Sequence, residues 1–134
     1  MNDCIFCKII RGEIPSMQIY EDEYCVATMD ISPATPGHVL ILPKEHYKDL
    51  TEVDEFLAGK MLMAAKLIGE RQVKKLGANG FNIVQNNGRA AGQTVMHFHI
   101  HVIPRYAGGT QIVAWEPTSP TTEQLVEIYT RLRE

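Results

Sequence analysis

The 134-residue chain has no long hydrophobic run. Its most apolar stretches, Val39 to Leu42 and Met61 to Ala65, fall far short of the roughly 20 residues a membrane-crossing helix needs. No apolar signal segment stands at the amino-terminus, because Asp3, Lys8, Arg11 and Glu13 break every candidate. Basic charge is not in excess: 13 Lys and Arg against 16 Asp and Glu give a net −3. Together with the lack of an aromatic-rich basic stretch, this argues against a nucleic-acid partner or an anionic-membrane anchor. Repeats, low-complexity tracts and Gly/Ser linkers are missing too, so a single domain is expected over 1–134. Cysteine is scarce and odd in number, three in all, with two of them set as Cys4-Ile-Phe-Cys7. That usage predicts a reducing, cytoplasmic setting and a pair that is a metal motif, a redox motif or two buried thiols.

What is present is ordinary globular material, 45% hydrophobic and 22% charged. Residues 4–12 read as a short helix stopped by Gly12. Gln18 to Tyr20 and Cys25 to Met29 read as strands joined by a polar turn, Ser32 to Gly37 as a proline-interrupted loop, and His38 to Leu42 as a further strand. From Asp54 to Leu76, Leu57, Met61, Ala64 and Ile68 recur at helical spacing until Gly77. Strands are expected near 80–86 and 95–103, an edge strand at Gln111 to Trp115, and a carboxy-terminal helix opened by Thr121 with Leu125, Ile128 and Leu132 on one stripe. The order predicts an α+β domain: an antiparallel sheet of about five strands, one long central helix, and a short helix at each end.

The most informative segment is Val95-Met-His97-Phe-His99-Ile-His101-Val-Ile103. Side chains alternate along extended chain, so the three histidines share one face and Met96, Phe98, Ile100 and Val102 the other. The apolar face has an obvious use in a core; three aligned imidazoles do not. Two chemistries suit them: holding a metal with an open position, or attack on phosphorus by one ring while its neighbours bind substrate and handle protons. The preceding Asn86-Asn-Gly-Arg-Ala-Ala-Gly92-Gln-Thr94 offers glycines for close approach and amide and hydroxyl donors for oxyanions. That favours phosphoryl or nucleotidyl chemistry.

These residues resemble the histidine-triad (HIT) family of nucleotide hydrolases and transferases. His97-Phe-His99-Ile-His101-Val-Ile matches its triad. Cys4 to Pro15, Met29-Asp-Ile-Ser-Pro33, Gly37-His-Val-Leu-Ile-Leu-Pro-Lys44 and Gly92-Gln-Thr94 match successive family blocks in order. The resemblance runs over about 4–109, leaving 110–134 as an extension with its helix. It implies a HIT-like fold and a homodimer with one site per subunit.

The family resemblance also implies roles. His99 is the expected nucleophile at the α-phosphorus, its tautomer fixed by the backbone carbonyl of His97. His101 is expected to contact phosphate and help protonate the leaving group, and His38 to take part in proton handling. Asp30 would bind the ribose hydroxyls, although the residues alone favour a turn cap before Ser32-Pro33. Ile5, Phe6, Ile9, Met29 and Ile31 match base-pocket positions, and Asn86, Gly92, Gln93 and Thr94 match phosphate contacts. Thr94 stands where the Hint branch commonly has serine, keeping the hydroxyl.

A bacterial-type, Hint-like branch with an amino-terminal Cys-x-x-Cys implies one structural zinc per subunit, held here by Cys4, Cys7, His46 and His97, and no organic cofactor. Cys25 reads as a buried small hydrophobe. The continuation through Pro104-Arg105 resembles bacterial HIT proteins and, more loosely, the dinucleoside-polyphosphate branch. The expected activity is therefore cleavage of purine nucleoside phosphoramidates through a nucleotidyl-histidine. Diadenosine polyphosphate hydrolysis at the same site, a low-turnover nucleotide-binding module and a zinc-centred hydrolase are the alternatives.

Overall fold

The computed structural model describes residues 3–110 and 115–133. The elements run α1 (Ile5–Ile10), β1 (Gln18–Glu21), β2 (Cys25–Met29), β3 (Val39–Pro43), α2 (Glu55–Leu76), β4 (Gly80–Val84), β5 (Ile100–Arg105) and α3 (Thr122–Leu132). Short 3-10 turns at Leu50–Glu52 and Arg89–Ala91 precede α2 and β5. The strands form one antiparallel five-stranded sheet in the order β1-β2-β3-β5-β4, as the α+β reading anticipated.

Helix α2 is capped at its start by the Asp54 carboxylate, which accepts the Leu57 amide at 2.8 Å. It ends at Gly77, whose left-handed φ of 71° suits glycine. Its stripe of Met61, Ala64, Ala65 and Ile68 packs on one sheet face, against Cys25, Ala27, Val39, Ile41, Phe98, Ile100 and Val102. On the other face Phe6 of α1 meets Val26, Leu40 and Leu42, with Ile9, Ile10 and Val95 at its margin. Residues of β2 and β3 therefore alternate between two covered faces, which is why both strands read as apolar almost throughout. Burial pushes the Cys25 thiol up to about 12, so it behaves as core hydrocarbon.

Two expectations change. The last strand starts at Ile100, not 95, because β3 pairs with it only from Val39–Val102 to Ile41–Ile100. Upstream, the Phe98 amide donates to the Tyr47 carbonyl at 2.6 Å, outside the ladder. The carboxy-terminal helix has the predicted start, a reciprocal Thr121–Gln124 capping box. Its apolar stripe is nonetheless uncovered, with Leu125, Ile128 and Leu132 at 57%, 49% and 80% exposure. The edge strand expected at Gln111 to Trp115 lies, apart from the exposed Trp115, outside the described residues.

Candidate functional site

Phe98, Ile100 and Val102 point into the α2 core, so His97, His99 and His101 turn toward α1. Alternation thus holds although the ladder covers only the last of the three. The edge of the Phe6 ring lies 5.0 Å from His99 and 5.8 Å from His97, centroid to centroid, and packs both imidazoles. His97 and His99 are buried, and His101, paired across the sheet with Leu40 and Val84, is half-buried.

At the amino-terminal end of this segment, Cys4, Cys7, His46 and His97 converge. Their Sγ and Nδ1 atoms all lie within 4.8 Å of one another. Cys4 Sγ is 3.3 Å and Cys7 Sγ 3.5 Å from His97 Nδ1, Cys7 Sγ is 3.3 Å from His46 Nδ1, and the two Nδ1 atoms are 3.1 Å apart. A tetrahedron with 2.0–2.3 Å bonds has edges of about 3.3–3.8 Å, so the four atoms already stand near metal-coordinating spacing. The other His97 nitrogen, Nε2, faces the Pro43 carbonyl at 3.4 Å, which leaves Nδ1 the lone pair that a ligand needs. Burial holds His97 down to about 4, hence neutral, and pushes the Cys7 thiol up. A cation at the centre would reverse the latter by favouring thiolate. The donor set is a Cys2His2 site, and it fits a metal ion.

In the middle, His99 Nδ1 lies 2.7 Å from the His97 carbonyl. A carbonyl can only accept, so Nδ1 carries the proton and Nε2 the lone pair. Burial lowers the His99 pKa, partly opposed by that carbonyl and by Asp30. The ring is thus held neutral, with its lone pair on Nε2.

At the carboxy-terminal end, His101 Nδ1 lies 2.9 Å from His38 Nε2, which is 3.4 Å from Asp30 Oδ2. Burial lowers both histidines, His101 to about 4 with His99 and His38 adding to the effect. Asp30 makes the turn cap anticipated before Ser32-Pro33, its Oδ1 accepting the Ser32 amide at 2.8 Å, while Oδ2 faces His38.

The turn between β4 and β5 is built around Gln93, which is buried. Its Oε1 accepts the Gly88 amide, its Nε2 donates to the Lys48 and Val95 carbonyls, and its own amide bonds to Gly88. Its side-chain amide and backbone N–H are thus engaged inside the protein, whereas Gly92 and Thr94 are exposed and Asn86 half-buried. Of the expected base-pocket residues, Phe6 touches the histidines, Ile9 and Met29 are half-buried, and Ile5 and Ile31 are exposed.

Sequence reasoning overlooked the groups that hold the loop before β3. Buried Gln72 donates from Nε2 to the Gly37 and Val102 carbonyls at 3.0 and 2.9 Å. Thr35 Oγ1 donates to Pro104, Tyr106 Oη to Pro36, and the Ala34 amide to His38 Nδ1. Gln72 had a signal: it stands four residues after Ile68, a polar side chain on the apolar stripe of α2. The Ala34 amide had none.

With this fold and site, comparison with known proteins is decisive about class. The HIT domain profile matches residues 11–108, and the chain belongs to the HIT family. It is 40% identical over 131 residues to the adenosine 5′-monophosphoramidase HNT1 of Saccharomyces cerevisiae, covering 96% of this chain and 80% of that one. The crystal structure of SMU.412c from Streptococcus mutans superposes with a TM-score of 0.92 at 39% identity, over 99% of this chain and 85% of that one. A zinc-bound histidine triad family protein from Mycobacterium smegmatis superposes with a TM-score of 0.80 at 39% identity, over 87% and 85% of the two chains.

Proposed function

We propose that the protein cleaves nucleoside 5′-monophosphate derivatives at the α-phosphorus, purine nucleoside phosphoramidates foremost, through a nucleotidyl-His99 intermediate. The observation that carries the reading is the 2.7 Å contact between His99 Nδ1 and the His97 carbonyl. It fixes a neutral tautomer with Nε2 free to attack. Membership of the family and the likeness to a phosphoramidase support the substrate class.

In the proposed reaction His99 Nε2 forms a bond to phosphorus as the bond to the leaving amine breaks, and the amine departs with the proton of His101 Nε2, which the attacking water replaces in the second step. Water then attacks the same phosphorus, the P–N bond to His99 breaks, and nucleoside monophosphate leaves with the imidazole restored. His101 Nε2 contacts the phosphoryl group, and Asp30 Oδ2 accepts from the ribose. Phe6, Ile9 and Met29, with the exposed Ile5 and Ile31, form the apolar wall for a base. Amides and hydroxyls of Asn86, Gly92 and Thr94 meet the phosphate, and Gln93 keeps their turn in shape. Cys4, Cys7, His46 and His97 would hold a zinc ion whose part is structural, tying α1 to the sheet and steadying the His97 carbonyl. We further propose a homodimer in the cytoplasm; no described helix is long and apolar enough to cross a membrane.

Incubation with adenosine 5′-phosphoramidate tests the reading. Wild type should release AMP and, when quenched, carry an acid-labile adenylyl group on His99. His99→Ala should lose on the order of 10^3-fold or more in kcat/KM while keeping its metal. Absence of both adduct and product leaves a binding module. Loss of wild-type activity to chelators, with metal lost from His99→Ala, instead points to a metal-centred hydrolase. Faster turnover of diadenosine polyphosphates would move the leaving group from an amine to a nucleotide.

A further inference from the structure

Two backbone groups of the loop from Ser32 to Gly37 bond to His38: the Thr35 carbonyl accepts its amide at 3.2 Å, and the Ala34 amide meets its ring. The Ala34 amide lies 3.0 Å from His38 Nδ1, and an amide can only donate. His38 Nδ1 must therefore hold a lone pair, and in the neutral ring the proton sits on Nε2. That nitrogen faces His101 Nδ1 at 2.9 Å. Two N–H groups cannot point at each other over that distance, so His101 Nδ1 accepts and its proton sits on Nε2. The order is Ala34 N–H to His38 Nδ1, then His38 Nε2–H to His101 Nδ1, ending in a free His101 Nε2–H.

We propose that the Ala34 amide is a positioning group for the reaction proposed above: by fixing the His38 tautomer it fixes that of His101, so in the resting site His101, its ring centroid 5.0 Å from that of His99, presents Nε2–H as a donor. The inference rests on that reading only for what the donor meets, a phosphoryl oxygen. The same order makes Asp30, His38 and His101 unsuited to binding a cation, although their donor atoms lie within 4.8 Å of one another. A cation there needs a lone pair on His38 Nε2. The proton would have to move to Nδ1, against the Ala34 N–H.

The loop is built to keep this amide in place. Thr35 Oγ1 is bonded to the Pro104 carbonyl at 2.6 Å, Tyr106 Oη to the Pro36 carbonyl at 2.7 Å, and Gln72 Nε2 to the Gly37 carbonyl at 3.0 Å. Gly37 has a φ of +96°, and a Cβ there would sit 2.4 Å from Leu76 Cδ1. Three anchors and a forced glycine on six residues, all outside the histidine cluster, explain why a short loop with two prolines holds one conformation.

Long-range 1H–15N correlation on histidine-labelled wild type, near pH 7.5 and without substrate, reads which ring nitrogen carries each proton. Protons on Nε2 of both His38 and His101, and on Nδ1 of His99, are expected. A proton on Nδ1 of either His38 or His101 overturns the proposal, whatever His99 does with a nucleotide. Conversely, these tautomers in a protein that forms no His99 adduct would retain the ordering and refute the reaction. Ala34→Pro removes the N–H: the His38 and His101 signals should redistribute between tautomers and kcat/KM should fall about 10- to 100-fold. Ala34→Gly, which keeps the amide, should match wild type in both. Unchanged tautomers in Ala34→Pro also overturn it.

Discussion

At one end of the His97–His101 segment an imidazole stands among two thiols and a second imidazole; at the other, four residues on, an imidazole stands against His38 and Asp30. Both groups bring ligand-type atoms within 4.8 Å of one another, and composition alone would nominate each for a metal. The difference lies on the far side of each ring. His97 points its protonated Nε2 at a carbonyl and its lone pair at the thiols. His38 is held the opposite way, its lone pair spent on the Ala34 amide and its N–H aimed inward. The partner of the outer nitrogen, a backbone group in both cases, thus sets which nitrogen of each ring keeps its lone pair for the cluster.

The largest expected effect breaks the first cluster. Replacing Cys4 and Cys7 together by serine should abolish metal content, read by elemental analysis, and lower the unfolding free energy by at least about 3 kcal/mol. Four donors from α1, the segment after β3 and the approach to β5 lose their common tie at once. Metal retained at one per chain in the double variant would remove the cluster from consideration. Chelation of wild type should reproduce the stability loss without touching a side chain.

The contrast also marks what could be read in advance. The span of α2 and its stop at Gly77 follow from local rules, so sequence periodicity located them within a residue. The face assignment of the three histidines survived because alternation is a property of extended chain, paired or not. The ladder's extent did not, since it depends on where β3 runs out and on the Tyr47 carbonyl that captures the Phe98 amide. Gln93 could be placed near the site but not seen as the strut of its turn. The two ends of the segment looked alike because the groups that separate them, Pro43 O and Ala34 N–H, belong to every residue and leave no mark in composition. The open stripe of α3 is legible as a pattern and silent about what it meets.

A smaller effect sharpens the second cluster. His38→Ala should leave metal at the wild-type level, because no donor of the Cys2His2 set touches His38, yet lower kcat/KM about 10- to 100-fold. The loss should fall chiefly on kcat, since the His101 donor is misdirected while the base wall is intact. A drop in metal content comparable to that in the cysteine variant would show that the two clusters are one unit.

The smallest effect concerns pH. Burial holds His101 down to about 4, against about 6.5 in an unfolded chain. Between these values the unfolded chain binds a proton that the folded one refuses, so stability is complete above about 6.5 and falls as pH is lowered toward 4. The full slope for one such group is about 1.4 kcal/mol per pH unit. Discounted for the partial exposure of the ring, a loss of about 1 kcal/mol is expected between pH 7 and pH 5. His101→Gln should have a correspondingly flatter stability profile over that range in urea unfolding. A variant profile parallel to wild type would mean that His101 binds its proton equally well in the folded and unfolded chains, and that burial in this cluster does not disfavour the imidazolium.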